Sequence, residues 1–246
     1  MEKVRVGFAF CGSFCTYSEV MPALERARAR YGDVTPIVSE KSAGTDSRFG
    51  PAHEFLREME RICDRRVIDS IPKAEPIGPQ KLLDVLVIAP CTGSTLARLA
   101  NGFSDTAVTM AAKAMWRNGR PVVIAVSTND GLGASAKNIG LLMEKKHVFF
   151  VPYRQDDPVG KPTSLVADFS RINDAVDAAL EGRQVQPDLS IPAKGARCFL
   201  FHRIAAPALP VAVEQQGHTF GSRYLDLIVQ HRTVVLAGGW QRGGCH

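Results

Sequence analysis

Nowhere does the sequence hold an apolar run approaching the roughly 18 to 20 residues that a membrane-crossing helix needs, which argues against a spanning segment. The start Met-Glu-Lys-Val-Arg leads directly into a strand pattern with no apolar signal region or cleavage site. The expected location is therefore cytoplasmic, with no membrane partner. Cys11, Cys15, Cys63, Cys91, Cys198 and Cys245 form no Cys-x-x-Cys pair and have no histidine at a zinc-ligand spacing, so free thiols and no metal site are expected. The turn after the first strand lacks Gly-x-Gly-x-x-Gly, and Gly-x-x-x-x-Gly-Lys-Ser/Thr is missing throughout, so a classical nicotinamide or ATP site is not indicated. Basic helices interleaved with aromatics are also missing. The formal net charge is +5, but from Gly195 onward Arg197, Arg203, Arg223, Arg232 and Arg242 face only Glu214 and Asp226. The tail thus holds most of the excess, the rest is nearly balanced, and no nucleic-acid partner is expected.

What is present is a repeated alternation of short apolar runs and amphipathic stretches. Strands are predicted over Lys3–Phe10, Asp33–Val38, Arg66–Ile68, Asp84–Ala89, Pro121–Val126 and His147–Val151. Helices are predicted over Thr16–Tyr31, from Pro51 onward with Phe55, Met59 and Ile62 as the apolar stripe, and over Ser94–Asn101, Asp105–Asn118, Ser135–Lys146 and Ser164–Leu180. Gly32 and Gly182 read as helix stops, Ser39–Gly50 as a polar loop, and Ile71–Pro79 as a loop or short helix. Strands alternating with helices of this length imply an α/β fold. The expected form is a doubly wound, Rossmann-like, parallel six-stranded sheet of order 3-2-1-4-5-6, built on right-handed crossovers.

In such a sheet ligands bind outside the carboxyl ends of the strands where the order reverses. Three small, hydroxyl-rich turns fall there: Cys11 to Tyr17, Pro90 to Thr95 and Ser127 to Gly133. Turns of this kind supply backbone N–H groups, hydroxyl donors and the positive end of a helix dipole, which suits a phosphate. Each alone also reads as an ordinary helix cap. Their convergence on one crevice makes Gly12, Ser13, Ser39, Thr92, Gly93, Ser94, Thr95, Ser127, Thr128 and Asn129 the candidate cofactor-binding residues.

A succession of segments carries a resemblance. In order they are Gly12-Ser13-Phe14-Cys15-Thr16-Tyr17, Val34-Thr35-Pro36-Ile37-Val38-Ser39, Ser47-Arg48-Phe49-Gly50, Ala74-Glu75-Pro76-Ile77-Gly78-Pro79, Arg117-Asn118-Gly119-Arg120-Pro121-Val122-Val123, Ser127-Thr128-Asn129-Asp130 and Lys161-Pro162-Thr163-Ser164-Leu165-Val166-Ala167. Together they resemble the family of dipicolinate synthase B subunits, within the flavin-containing cysteine-decarboxylase-like flavoprotein superfamily. The resemblance covers about residues 3 to 190. It implies a flavoprotein-type domain over residues 1–187 that binds FMN, NADP being the alternative cofactor. It also implies a homotrimer or multiple of trimers, and an A-subunit partner with which dihydrodipicolinate or its hydroxytetrahydro precursor is oxidised to dipicolinate in the mother cell of a sporulating bacterium, on a branch from lysine biosynthesis. Superfamily decarboxylases have Pro-Ala-Ser-Ala-Asn-Thr where this chain has Pro90-Cys91-Thr92-Gly93-Ser94-Thr95, so Ser94 stands where their carboxylate-contacting Asn would be. That departure disfavours the alternative of an FMN-dependent decarboxylase or prenyltransferase. A noncatalytic companion of the A-subunit is the other alternative.

A planar dicarboxylate substrate calls for a guanidinium, and Arg48 is the candidate, with a surface ion pair as its plainer reading and Arg117 as a distant second. Cys11 and Cys91 read as small buried residues, and His53 as an exposed first-turn residue rather than a general base. No catalytic residue is forced by spacing. From 188 to 246 the periodicity lapses into Arg, His and Gly with irregular apolar runs. The expectation is a poorly ordered extension of no recognised fold, translated from a shifted frame and not packed on the domain. The alternative is an arm that crosses to a neighbouring protomer.

Overall fold

The computed structural model describes residues 3–187. The expected extension 188–246, with Cys198, Cys245, His202, His218, His231 and His246, lies outside the described residues. Five parallel strands form the centre: β1 (Arg5–Phe10), β2 (Asp33–Val38), β3 (Val85–Cys91), β4 (Val122–Thr128) and β5 (Val148–Phe150), in the order β2-β1-β3-β4-β5. Every residue of β3 is buried, as its unbroken apolar run requires of a central strand covered on both faces. The helices α1 (Tyr17–Tyr31), α3 (Ala52–Cys63) and α8 (Ile172–Leu180) pack on one face. On the other lie α4 (Ile71–Ala74), α5 (Gly93–Ala100), α6 (Ala107–Arg117) and α7 (Ala136–Met143). This is the doubly wound architecture read from the sequence. Gly32 ends α1 as expected, at φ 72°, with its N–H donating to the Arg28 carbonyl at 2.9 Å.

Three elements differ from expectation. The segment 66–68 is reduced to one parallel bridge, Ile68 to Ile37, beside β2. Ile68 N–H donates to the Pro36 carbonyl and the Val38 N–H to the Ile68 carbonyl, but Pro36 has no N–H for the carbonyl of Arg66, so the ladder stops. The loop after β2 contains a short helix, α2 (Glu40–Gly44), capped by the Ser39 hydroxyl. The stretch expected to be one helix, Ser164–Leu180, divides into β7 (Leu165–Ala167), a 3-10 turn capped by the Asp168 carboxylate, and α8. β7 runs antiparallel to the end of β4 and to β6 (Tyr153–Arg154), which brings the strand count to seven. This small ribbon sits on the carboxyl end of the sheet and carries the 155–164 loop to the mouth of the crevice. Among the described residues no helix is long and apolar enough to cross a membrane.

Candidate functional site

The crevice at the carboxyl ends of β1, β3 and β4 is a cavity of about 400 Å³. Gly12, Ser13, Thr92, Gly93, Ser127, Thr128 and Asn129 line it, and so does Arg48. The three turns therefore converge as expected. Ser39, Ser94 and Thr95 do not join them: they line an adjoining cavity of about 540 Å³ that shares only Gly12 and Thr92 with the first. Arg117 lies elsewhere, beside Glu75 and Gly78, and His53 is exposed in the first turn of α3.

Hydroxyl groups at the strand ends fall into three sets. Ser39 and Thr92 cap their own helices, accepting from Ser42 N–H and Thr95 N–H at 3.3 Å each. Ser13 Oγ and Ser127 Oγ lie 2.9 Å apart and bridge the turns after β1 and β4. Thr128 and Ser135 both donate to Asp130 Oδ1, and these bonds, Thr128 first, hold the Asp130 carboxyl below the usual range. Ser13, which precedes the 3-10 turn Phe14–Thr16, pairs with Ser127, and Thr16, which precedes α1, donates its hydroxyl to the Ser13 carbonyl at 2.9 Å, so neither element receives a side-chain cap at its start. First-turn amides without a side-chain acceptor suit a bound anion. A Cβ built on Gly12 would make only ordinary contacts at 3.8 to 3.9 Å, with Ser42 and Phe14, and the Gly12 backbone borders the cavity.

Both thiols at the strand ends are fully buried. Burial pushes Cys11 up to about 11, and it raises Cys91 well above its ordinary value, with neighbouring Cys11 adding to the effect. They are inert packing groups, as their residue type suggested. Tyr17, also buried, anchors this floor by donating to the Cys11 carbonyl at 2.9 Å and packing edge-on against Phe10 and Phe55.

The structure adds Asp156, Lys161 and Ser164 to the crevice, all from the β6–β7 loop. Lys161 Nζ stands 3.4 Å from Asp156 Oδ2, and Ser164 donates to Asp156 Oδ1. Partial burial pulls the Asp156 carboxyl up, but Ser164 and Lys161 outweigh it and hold the group low. Sequence reasoning misses these residues because Lys161 to Ala167 also reads as the approach to a helix. Arg48 guanidinium lies over the Phe49 ring, 4.8 Å from its centroid, and among the described residues forms no ion pair.

The Flavoprotein family model matches residues 1–180. Over 189 residues the chain is 44% identical to the dipicolinate synthase B-subunit of Bacillus subtilis, spanning 77% of this chain and 94% of that protein. The crystal structure of the corresponding protein from Bacillus halodurans, also a dipicolinate synthase B-subunit, is likewise 44% identical and has a TM-score of 0.70, covering 78% of this chain and 99% of that one. At 19% identity, DmrB of Burkholderia xenovorans in complex with FMN, described as a cubic protein cage for redox transfer, shares the fold with a TM-score of 0.54 over 73% of this chain and 96% of its own.

Proposed function

The chain belongs to the Flavoprotein family and to its dipicolinate synthase B-subunit group, and from that membership we propose that it binds FMN in the strand-end crevice and acts with an A-subunit to oxidise dihydrodipicolinate, or its hydroxytetrahydro precursor, to dipicolinate. The observation that carries the reading is the convergence of three turns, two of them bridged by Ser13 and Ser127, on a cavity with an uncapped helix start. The uncapped turn at Phe14 to Thr16 and the backbone at Gly12 receive the phosphate. Thr92, Gly93, Thr128 and Asn129 border the ring system, and the contiguous cavity lined by Ser39, Ser94 and Thr95 gives room for the remainder. Bound there, FMN supplies a two-electron acceptor. Aromatising a dihydropyridine ring removes one hydride and one proton, the hydroxytetrahydro precursor losing a water besides, so the protein's part is to hold the ring flat against the acceptor and keep its carboxylates in place. Arg48 supplies a planar cation for one of them. Ser94 in the second cavity offers no side-chain amide to a substrate carboxylate, which favours oxidation over decarboxylation. In this reading the working form is a homotrimer or a multiple of trimers in the cytoplasm.

FMN should quench on binding and raise the melting temperature, whereas NADPH should not. At a hundredfold excess over Kd the stabilisation is about 2.7 kcal/mol, or roughly 5 to 10 °C for a domain of this size. Dipicolinate should form in the mixture of the two proteins and not with either alone. Stabilisation by NADPH in place of FMN would overturn the cofactor assignment. A mixture as active without any flavin would reduce the chain to a noncatalytic partner.

A further inference from the structure

The crevice presents two cations from separate walls. Arg48 comes from the loop between α2 and α3, and its guanidinium plane is supported by Phe49, with no acidic partner among the described residues. Lys161 comes from the β6–β7 loop and, among the described residues, its ammonium is held only by the 3.4 Å contact to Asp156, with half of its side chain exposed. The loop beneath it is tightly tied. Lys161 N–H donates to the Asp157 carbonyl at 2.8 Å, Ser164 N–H returns to the Lys161 carbonyl at 3.0 Å, and Gln155 Nε2 donates to the Pro162 carbonyl at 2.7 Å. Thr163 Oγ1 donates to the Asn129 carbonyl at 2.7 Å, and Leu132 N–H to the Thr163 carbonyl at 2.9 Å, so the loop is fastened to the turn that follows β4. A long cation standing on a fixed base beside one weakly engaged carboxylate is poised to take a better anion. With Asp156 counted, the two walls carry one net positive charge before a ligand enters, and a ligand with two carboxylates would give each cation an anionic partner of its own.

We propose that Lys161 and Arg48 form a two-point clamp for a rigid ring bearing two carboxylates, Lys161 holding the carboxylate that Arg48 does not, with Asp156 and Ser164 as the positioning residues for the ammonium. This deepens, and rests on, the assignment of the crevice to a pyridine dicarboxylate. The clamp makes the site selective for the second carboxylate, because a monocarboxylate leaves one cation with only its resting partner.

The test is calorimetric binding of pyridine-2,6-dicarboxylate and pyridine-2-carboxylate to the full chain, with flavin fluorescence followed in the same samples. Wild type should prefer the dicarboxylate by at least about tenfold, and Lys161→Met should weaken it by roughly tenfold to a hundredfold, to the level of the monocarboxylate. Monocarboxylate binding should change little, the melting temperature should hold, and Lys161→Arg should keep the preference. Equal dicarboxylate binding by wild type and Lys161→Met overturns the clamp. So does a Lys161→Met chain that loses affinity for FMN more than for riboflavin, since Lys161 would then serve the cofactor phosphate. A wild type that takes up FMN but ignores the dicarboxylate sinks the clamp alone. One that selects the dicarboxylate without taking up FMN sinks the flavin reading alone.

Discussion

A methyl group at position 93 would stand 2.6 Å from Ser135 Oγ and 2.9 Å from both Asp130 Oδ1 and Thr128 Oγ1. Those three side chains are short and bonded to one another, so none can swing aside without breaking the network that fixes the turn after β4. Gly93→Ala should therefore destabilise the fold by about 1 to 3 kcal/mol, read from the urea midpoint. Gly12→Ala, whose new methyl would make only ordinary contacts at 3.8 to 3.9 Å with Ser42 and Phe14, should leave that midpoint in place while weakening FMN binding. Equal midpoints for the two variants would mean that Gly93 is not tightly enclosed. At this scale the sequence is informative about position and uninformative about use. Ser39 and Thr92 are where the turn pattern puts them, yet their oxygens are engaged in capping. Ser13 reads as a phosphate ligand, but its hydroxyl reaches Ser127 across 114 positions, a pairing that no local pattern encodes.

Elements are held at the opposite end of the sheet by a single carboxylate. Asp84, immediately before β3, accepts from Arg5 Nε at 3.0 Å, from Arg5 Nη2 at 2.8 Å and from the Arg5 N–H at 2.9 Å, and it is also paired with Arg120 just before β4. The Arg5 bonds foremost, and the nearby Arg120 charge, hold its carboxyl at about 2 against an ordinary 3.8. Because the folded value lies below the unfolded one, the clasp contributes fully above about pH 4 and its contribution fades as pH falls toward 2. The two arginines are about one-third exposed, which discounts the pairing, and a loss of roughly 1 to 2 kcal/mol is expected on acidification. Asp84→Asn should remove that stability at neutral pH and flatten the pH dependence over this window, as checked by chemical denaturation from pH 2 to 5. A variant with the wild-type acid profile would exclude the clasp as its source. Long elements such as Asp33–Val38 and α6 are legible in the sequence because apolar period and flanking Gly or Pro agree. β6 and β7 are not, since two- and three-residue strands carry too few positions to show a period, and Leu165 to Ala167 also fits a helical one.

For the whole molecule, the decisive boundary lies just before the extension. α8 buries Ile172, Ala175, Val176 and Ala179 against β3, β4 and α1, closing one face of the sheet. Beyond it, Gln184 acts as a surrogate strand residue: its Oε1 accepts from Phe150 N–H at 2.8 Å and its Nε2 donates to the Phe150 carbonyl at 2.7 Å, satisfying the backbone of the short β5. The folded unit thus needs the chain through Gln184, while the core among the described residues is complete by Pro187. A chain ending at Pro187 should keep its melting temperature, its FMN affinity and its assembly state, measured by calorimetry, fluorescence and light scattering. A chain ending at Gly182 should lose about 1 to 3 kcal/mol, since two buried backbone groups of β5 lose their partners. Equal stability of the two truncations would deny Gln184 its role. Should the chain ending at Pro187 turn monomeric or insoluble while the full chain does not, residues 188–246 belong to an interface between protomers, and the expectation of an unselected extension is wrong.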